Sequence, residues 1–287
     1  MKLAVSSFAW PPRESTRVAA WLGAVPEVGG VELVLPMAFA DPGGATAEEI
    51  KAVRALYADQ GLAIPSVQSL AFGRPELQLL GNADTRRAFH EHLLRMAELA
   101  SALGARTMVF GSPANRRRGA MPMDEAMSWA VDFFRQLGEA LEDTGIILTV
   151  EPNPPIYADC DMITRLEEAT ALVRRVDHPM VKVQLDTGAI AHAQGEGRGP
   201  ELAAIADAIM DAAHLHVSVP GLLPLRSQDD MQAAIADKLL KAGLQDRPSI
   251  PWATIEMKHA GEEADPRPAL REAMDAVCAW YPIAPGA

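Results

Sequence analysis

Apolar and polar positions alternate in a way that divides the chain into short β-prone runs and longer helical segments, which follow one another from end to end. In 181–186, apolar residues alternate with Lys182, Gln184 and Asp186, which is the period of two that a half-exposed strand shows. Regular alternation of strands and helices is typical of a parallel sheet. The pattern predicts eight strands, at residues 2–8, 31–36, 62–68, 106–111, 146–151, 180–186, 213–219 and 253–258.

Two of the helical segments carry recognisable start signals. Segment 45–61 begins with Ala45 or Thr46 as its expected cap, and acidic residues follow in its first turn. Segment 84–104 has Asp84 as its expected cap. Both segments are long enough to cross from the end of one strand back to the start of the next.

Eight strand–helix units in 287 residues match the size of a (β/α)8 TIM barrel, which commonly needs about 250 residues. No linker-like or low-complexity stretch divides the chain. We therefore expect the α/β class and a single (β/α)8 barrel domain over 1–287, with a frayed tail at 282–287.

Composition narrows the class of partner. The chain is 49% hydrophobic and 22% charged, and its net charge of −12 disfavours binding to a phosphate backbone. Cys160 and Cys278 are too few for a disulfide framework, which fits a reducing cytoplasm. The N-terminal apolar run is too short for a signal peptide, and no run approaches the roughly 20 residues of a membrane span. We expect a cytoplasmic protein with no nucleic-acid or membrane partner.

Four strand ends each present a side chain that binds metals. These residues are Glu151 in TVEPNP, Asp186 in VQLDTG, His216 in HLHVS and Glu256 in ATIEMK. In a barrel the C-terminal ends of the strands meet on one face, where active sites form. The four side chains are therefore predicted to bind one divalent metal ion.

Three carboxylates and one imidazole form an oxygen-rich ligand set that suits Mn²⁺, Mg²⁺ or Co²⁺ and also accommodates Zn²⁺. Four protein ligands leave room for two oxygens of a hydroxycarbonyl substrate, whose carbonyl the metal would polarise. Glu151 and Glu256 come from strands 5 and 8, so they are expected to approach opposite faces of the substrate. One would remove a proton next to the carbonyl and the other would return it.

The chain also carries, in order, the motifs GVELVLP, LGARTMVFGSPANR, VEPNP, QLDTG, HLHVS and TIEMK. This series resembles the xylose-isomerase-like TIM-barrel superfamily, specifically the sugar phosphate isomerase/epimerase group. The resemblance implies the same four metal ligands, with Glu151 and Glu256 as the acid/base pair. It also implies a small carbohydrate substrate and a possible homo-oligomer.

The sequence departs from that family at three positions where many relatives carry substrate-binding residues. Ala189, Val219 and Leu222 stand where relatives carry a histidine, an acidic residue and an arginine. The leading hypothesis is an isomerase or epimerase acting through an ene-diolate; a dehydratase or lyase at the same site and a non-catalytic sugar- or metal-binding barrel remain alternatives. Seven histidines and the acidic charge disfavour an abasic-site endonuclease. A Schiff base on Lys182 or Lys258 is a further, weaker alternative.

Further polar residues are predicted to contact the substrate. An arginine in the loop after strand 4 would clamp an anion, and the asparagine–arginine pair that resembles the family's motif favours Arg116 there. The complete predicted set of substrate-binding residues is Gln68, Asn153, Arg116, Arg226, Lys258 and His214.

Among the inward-facing positions of the strands, Glu32 lies opposite in parity to Val31 and Leu33. We expect it to pair with Lys182 deep in the barrel, as a structural ion pair.

Overall fold

A computed structural model of the protein describes residues 1–259, 261 and 264–285. Its eight strands are all parallel, each pairs with its neighbours in chain order, and β8 pairs with β1 to close the barrel. The predicted (β/α)8 barrel is confirmed. The strands are β1 Lys2–Ser6, β2 Val28–Val34, β3 Ser66–Gln68, β4 Thr107–Phe110, β5 Ile147–Val150, β6 Val181–Asp186, β7 Ala212–Val217 and β8 Trp252–Ile255.

Helices connect the strands and surround the barrel. They are α1 Ser15–Gly23, α2 Leu35–Ala38, α3 Ala47–Ala58, α4 Ala83–Leu103, α5 Met123–Leu141, α6 Leu166–Val176, α7 Thr187–Gly195, α8 Leu202–Met210, α9 Asp230–Lys241 and α10 Arg267–Trp280. Among the described residues, no helix combines the length and the hydrophobicity that a membrane span requires.

Local capping explains where α3 and α4 begin. Thr46 caps α3 through a capping box, in which its hydroxyl accepts from the Glu49 N–H and the Glu49 carboxylate accepts from the Thr46 N–H. The expected cap of α4 was wrong by two residues. Asn82 is the cap, because its side chain accepts the Thr85 N–H at 2.9 Å, whereas Asp84 lies in the first turn and pairs with Arg87.

The parity of β6 is as predicted. Val181, Val183 and Leu185 are fully buried in the apolar core, and Gln184 and Asp186 project to the other side of the strand. The expected pair between Glu32 and Lys182 is wrong. Lys182 is only half-buried, in a groove that also includes Arg174 and Asp211, and Glu32 is bound by other side chains described below.

The two ends of the described chain meet at β1. The Met1 ammonium donates to the Pro282 carbonyl at 3.0 Å, and the Ala284 N–H donates to the Met1 carbonyl at 2.8 Å. These bonds involve part of the tail that was expected to fray; residues 286 and 287 lie outside the described residues. The closed barrel forms a single domain, and the domain bounds of 1–287 stay a prediction.

Candidate metal centre and active site

The four predicted ligands lie together at the C-terminal ends of four successive strands. Asp186 ends β6 and pairs in register with His216 of β7, while Glu151 and Glu256 directly follow β5 and β8. All four are buried, with exposed fractions of 7% or less. The strand ends therefore assemble a dense group of ionisable side chains in a place shielded from bulk water.

Three of the four side chains converge on one point. His216 Nδ1 lies 3.0 Å from Glu151 Oε1 and 3.4 Å from Glu256 Oε2, and one ligand atom of each residue lies within 4.8 Å of the others. Asp186 stands beside this trio. Its Oδ1 accepts from the Ser218 hydroxyl at 2.6 Å and from the Gly188 N–H at 2.9 Å, which leaves Oδ2 for another partner.

Burial raises the proton affinity of two of the carboxylates, Asp186 and Glu256. Burial, and then the negative charges of Glu151 and Glu256, raise the pKa of Asp186 to about 7. Burial also raises the pKa of Glu256 above its ordinary value, although His216 acts in the opposite direction. A buried cluster with surplus negative charge is stabilised by a cation, so the donor set fits a divalent metal ion.

A fourth buried carboxylate, Glu32, lies beneath the cluster and holds both imidazoles of β7. Its Oε1 accepts from His216 Nε2 at 2.9 Å, and its Oε2 accepts from His214 Nε2 at 2.9 Å. Gln68 and Ser66 donate to the same carboxylate, each at 2.6 Å. Burial alone would raise the pKa of Glu32, but the charge of His216 and the imidazole hydrogen bonds together lower it well below the usual range.

This network sets the roles of the two histidines. An ionised carboxylate only accepts hydrogen bonds, so Glu32 keeps a proton on Nε2 of His216. Nδ1 faces Glu151 and Glu256, and it would act as a ligand atom when a metal ion takes the place of its proton. His214, predicted to bind substrate, instead lies one inward position deeper in the strand and is 2% exposed. Gln68 lines the cavity, but its amide is engaged with Glu32 and Ser6.

Glu151 is held by a buried asparagine and arginine. Asn153 Nδ2 donates to Glu151 Oε2 at 2.8 Å, and the guanidinium of Arg116 donates to Asn153 Oδ1 at 3.0 Å and to the Glu151 carbonyl at 2.8 Å. Arg116 also donates to the Ile163 carbonyl, and none of its surface is exposed. Arg116 therefore supports Asn153 from behind. The prediction that its guanidinium clamps a substrate anion is wrong, because the guanidinium is buried away from the cavity.

Two glycines leave the space that these carboxylates occupy. A Cβ at Gly111 would lie 2.6 Å from Glu151 Oε2 and 3.2 Å from Asn153 Oδ1. A Cβ at Gly188 would overlap the Ser218 hydroxyl that donates to Asp186. Both glycines thus permit a close approach between the backbone and the acidic cluster.

The cluster opens into a cavity of about 130 Å³. Its walls include Glu151, Asp186, Glu256, Asn153 and Phe8. Among the described residues, no lysine or arginine side chain lines it. The two basic residues that were predicted to reach the substrate lie elsewhere: Arg226 lines a separate surface groove with Pro220 and Asp229, and Lys258 is exposed.

The loops supply cavity residues that periodicity did not indicate. Tyr157, Ser69, Ser112 and Leu222 all line the cavity. Ser69, Ser112 and Leu222 have positive φ angles of 63°, 43° and 56°, in the left-handed region that non-glycine residues rarely adopt. The family resemblance had drawn attention to Leu222 only. For the other three residues the sequence signal was their place after a strand end, because loops have no repeating period.

The sequence matches the family model described as xylose isomerase-like TIM barrel over residues 24–277. The chain belongs to this family. No curated protein matches this chain in sequence.

Solved structures of other proteins share the barrel. A D-psicose 3-epimerase from Clostridium cellulolyticum H10, solved with D-tagatose, is 16% identical, with a TM-score of 0.73 and 99% of each chain covered. The 3-keto-D-glucoside 4-epimerase YcjR from E. coli is 17% identical, with a TM-score of 0.70 and 98% of each chain covered. The IOLI protein with a zinc atom is 15% identical, with a TM-score of 0.69 and 98% coverage of both chains. At these identities the likeness is one of fold.

Proposed function

We propose that this protein is a divalent-metal-dependent isomerase or epimerase of a small sugar or sugar-derived hydroxycarbonyl compound. The observation that carries the proposal is the pair of buried carboxylates, Glu151 and Glu256, that flank one imidazole nitrogen at 3.0 and 3.4 Å beside a cavity. Family membership and the epimerases that share the fold support the same reaction class.

The proposed metal ligands are Glu151, Asp186, His216 through Nδ1, and Glu256. The family and the zinc in the IOLI protein support a metal here, and the donor set suits Mn²⁺, Mg²⁺, Co²⁺ or Zn²⁺. A bound divalent ion polarises a substrate carbonyl and makes the neighbouring C–H more acidic.

The chain's own residues supply the proton transfers. Glu151 and Glu256 approach His216 Nδ1 at 3.0 and 3.4 Å from strands on opposite sides of β7, so each can face the cavity from a different strand. One carboxylate removes the proton next to the carbonyl, and the other delivers a proton to the opposite face or to the neighbouring carbon. Asn153, fixed by Arg116, orients Glu151 for this step.

The cavity favours an uncharged substrate. Three carboxylates line it, and no basic side chain of the described residues does, so the phosphate of a sugar phosphate would meet repulsion and find no lysine or arginine to bind it. Neighbours solved with D-fructose and D-tagatose support a free ketose. The acidic net charge of −12 agrees with a small-molecule partner instead of a nucleic acid. Assembly into a homo-oligomer stays a prediction.

The test is proton exchange in D₂O. The protein is loaded in turn with Mn²⁺, Mg²⁺, Co²⁺ and Zn²⁺ and incubated with D-tagatose, D-fructose, D-psicose, L-ribulose and D-tagatose 6-phosphate. We expect deuterium at a carbon next to the carbonyl of a free ketose, together with its epimer or isomer. Loss of water or cleavage of a carbon–carbon bond would assign a dehydratase or lyase, and binding without exchange would assign a binding protein.

Variants test the two carboxylates directly. Glu151→Gln and Glu256→Gln each remove a proton carrier and a metal ligand, so each should lower turnover by about 10²- to 10⁴-fold. Glu98→Gln, on an exposed position of α4, is the matched control and should keep wild-type turnover. Wild-type metal content and turnover in both cluster variants would refute the assignment.

A further inference from the structure

The loop between β5 and α6 carries Tyr157 over the candidate active site. The Asn153 N–H donates to the Ile163 carbonyl at 3.0 Å, which closes the base of the loop. Inside it, the Tyr157 N–H donates to the Pro154 carbonyl at 3.0 Å and the Cys160 N–H to the Tyr157 carbonyl at 3.1 Å. These bonds fold the loop back on itself and fix the position from which the tyrosine ring projects.

The tyrosine hydroxyl bridges to a second loop, the one that follows β7. It accepts the Gly221 N–H at 2.8 Å. Gly221 and Leu222 both have positive φ angles, of 80° and 56°, which turn this part of the loop towards the tyrosine. The Leu222 carbonyl in turn accepts the Lys258 N–H at 2.8 Å, so the bridge links segments that follow β5, β7 and β8.

The bridge lies at the cavity of the carboxylate cluster. Tyr157 and Leu222 line the same cavity as Glu151, Asp186 and Glu256. The two loops therefore form part of the wall that a molecule at the cluster would touch. Neither side chain belongs to the set of proposed metal ligands.

The phenolic proton of Tyr157 has no partner in the described part of the chain, because the one hydrogen bond of the hydroxyl is the bond that it accepts from Gly221. A hydroxyl that accepts one bond can still donate another. Burial, and then the negative charge of Asp186, raise the pKa of this phenol, which therefore keeps its proton at neutral pH. The site thus holds an oriented donor among groups that mainly accept.

We propose that Tyr157 is a substrate-binding residue whose hydroxyl, held by the Gly221 N–H, donates a hydrogen bond to an oxygen of the sugar in the cavity. The substrate contact rests on the function proposed above. The bridge to Gly221 does not depend on it. Ionised carboxylates offer a sugar only acceptors, and the Tyr157 hydroxyl adds a donor for one of its oxygens.

The test compares Tyr157→Phe, which removes only the hydroxyl, with Tyr281→Phe. Tyr281 is buried after α10, and its hydroxyl has no hydrogen bond among the described residues, so it is a matched control outside the cavity. Hydrogen exchange of the Gly221 amide reports the bridge. Loss of one hydrogen bond should speed this exchange about 5- to 10-fold in Tyr157→Phe and leave it unchanged in Tyr281→Phe.

Substrate contact is measured separately, by calorimetric titration of D-tagatose, D-fructose, D-psicose and L-ribulose into the Mn²⁺-loaded proteins. We expect Tyr157→Phe to weaken binding of the recognised ketose by about 5- to 10-fold. Its KM should rise by the same factor while kcat stays within about 2-fold, and its Mn²⁺ content should equal that of the wild type. A deoxy analogue that lacks the contacted oxygen should bind both proteins equally.

Each result tests one part of the proposal, either the bridge to Gly221 or the contact with the sugar. Faster Gly221 exchange with unchanged ketose binding would reduce Tyr157 to a brace between loops and overturn the substrate contact. Unchanged exchange would overturn the bridge. A wild-type protein that binds none of the four ketoses would overturn the contact, whereas binding without deuterium exchange would refute the proposed reaction and leave the contact intact.

Discussion

The side chain of Glu32 determines which nitrogen of His216 carries a proton. Both carboxylate oxygens are saturated, since each accepts two hydrogen bonds from the set of His216, His214, Gln68 and Ser66. The proton on His216 Nε2 makes Nδ1 the nitrogen that would bind a metal ion beside Glu151 and Glu256. Glu32 thus shapes the cluster without lining the cavity.

Glu32→Gln should weaken metal binding. The amide nitrogen cannot accept, so two of the four donors lose their acceptor and His216 no longer has a fixed tautomer. The affinity for Mn²⁺ should fall about 10- to 100-fold, measured by titration with detection of free Mn²⁺ by electron paramagnetic resonance. Glu98→Gln should bind as the wild type does. Equal affinities in the two variants would contradict the role assigned to Glu32.

Gly111→Ala should damage the site more than the fold. The added Cβ comes within 2.6 Å of Glu151 Oε2, and this carboxylate, at the end of a flexible side chain, has to move. A shift of about 1 Å in a reacting group can lower turnover roughly 100-fold. The melting temperature should change little. Gly195→Ala, where nothing lies within 4 Å of the new Cβ, is the control; equal turnover in both variants would refute the steric argument.

At the scale of elements, the alternation of apolar and polar residues predicted which face of a strand each residue occupies. A period of two tells which face of β6 or β7 a residue occupies, so Asp186 and His216 were correctly expected inside. Alternation does not tell depth. His214 shares its face with His216 but lies two residues, or roughly 6.6 Å, further down the strand, where it meets Glu32 instead of the cavity.

Loop residues were predicted less well because loops have no period. Arg116 and Arg226 were assigned from their places after strands 4 and 7, yet one is buried behind Asn153 and the other lines a separate groove. Tyr157 was not singled out at all. Its position depends on backbone bonds within its loop and on Gly221, which is 64 residues away in the chain.

The start of α4 offers a test of the corrected cap. Asn82→Ala removes the acceptor for the Thr85 N–H and should lower the free energy of unfolding by about 1 kcal/mol. Asp84→Ala removes only an exposed ion pair with Arg87 and should cost less than about 0.5 kcal/mol. Urea unfolding of the two variants provides the comparison. A larger loss for Asp84→Ala would restore the cap expected from sequence.

At the scale of the whole molecule, the proposed ligands draw on four successive strands of one closed barrel. A cation bound there would offset repulsion between these carboxylates, where burial and then the charges of Glu151 and Glu256 raise the pKa of Asp186. Binding to the folded chain alone stabilises it by mass action, and at 100 times the dissociation constant the gain is about 2.7 kcal/mol. The metal is therefore expected to stabilise the barrel as well as to act in the reaction.

Removing the metal should lower the melting temperature. For a chain of this size, a gain of about 2.7 kcal/mol corresponds to roughly 5–10 °C, measured by differential scanning calorimetry with saturating Mn²⁺ against EDTA. Asp186→Asn should reduce the shift because it removes one ligand. If Mn²⁺, Mg²⁺, Co²⁺ and Zn²⁺ all leave the wild-type melting temperature unchanged, the cluster does not bind these ions.

The left-handed backbone at Ser69, Ser112 and Leu222 has a consequence for the evolution of this barrel. Each such residue costs roughly 1–2 kcal/mol relative to an unstrained one, and all three line the cavity. Selection for heat resistance alone would therefore favour glycine or asparagine at these positions, since either relieves the strain. Selection for turnover would retain the present residues wherever their side chains contact the sugar. These three positions are where the two selective pressures would conflict.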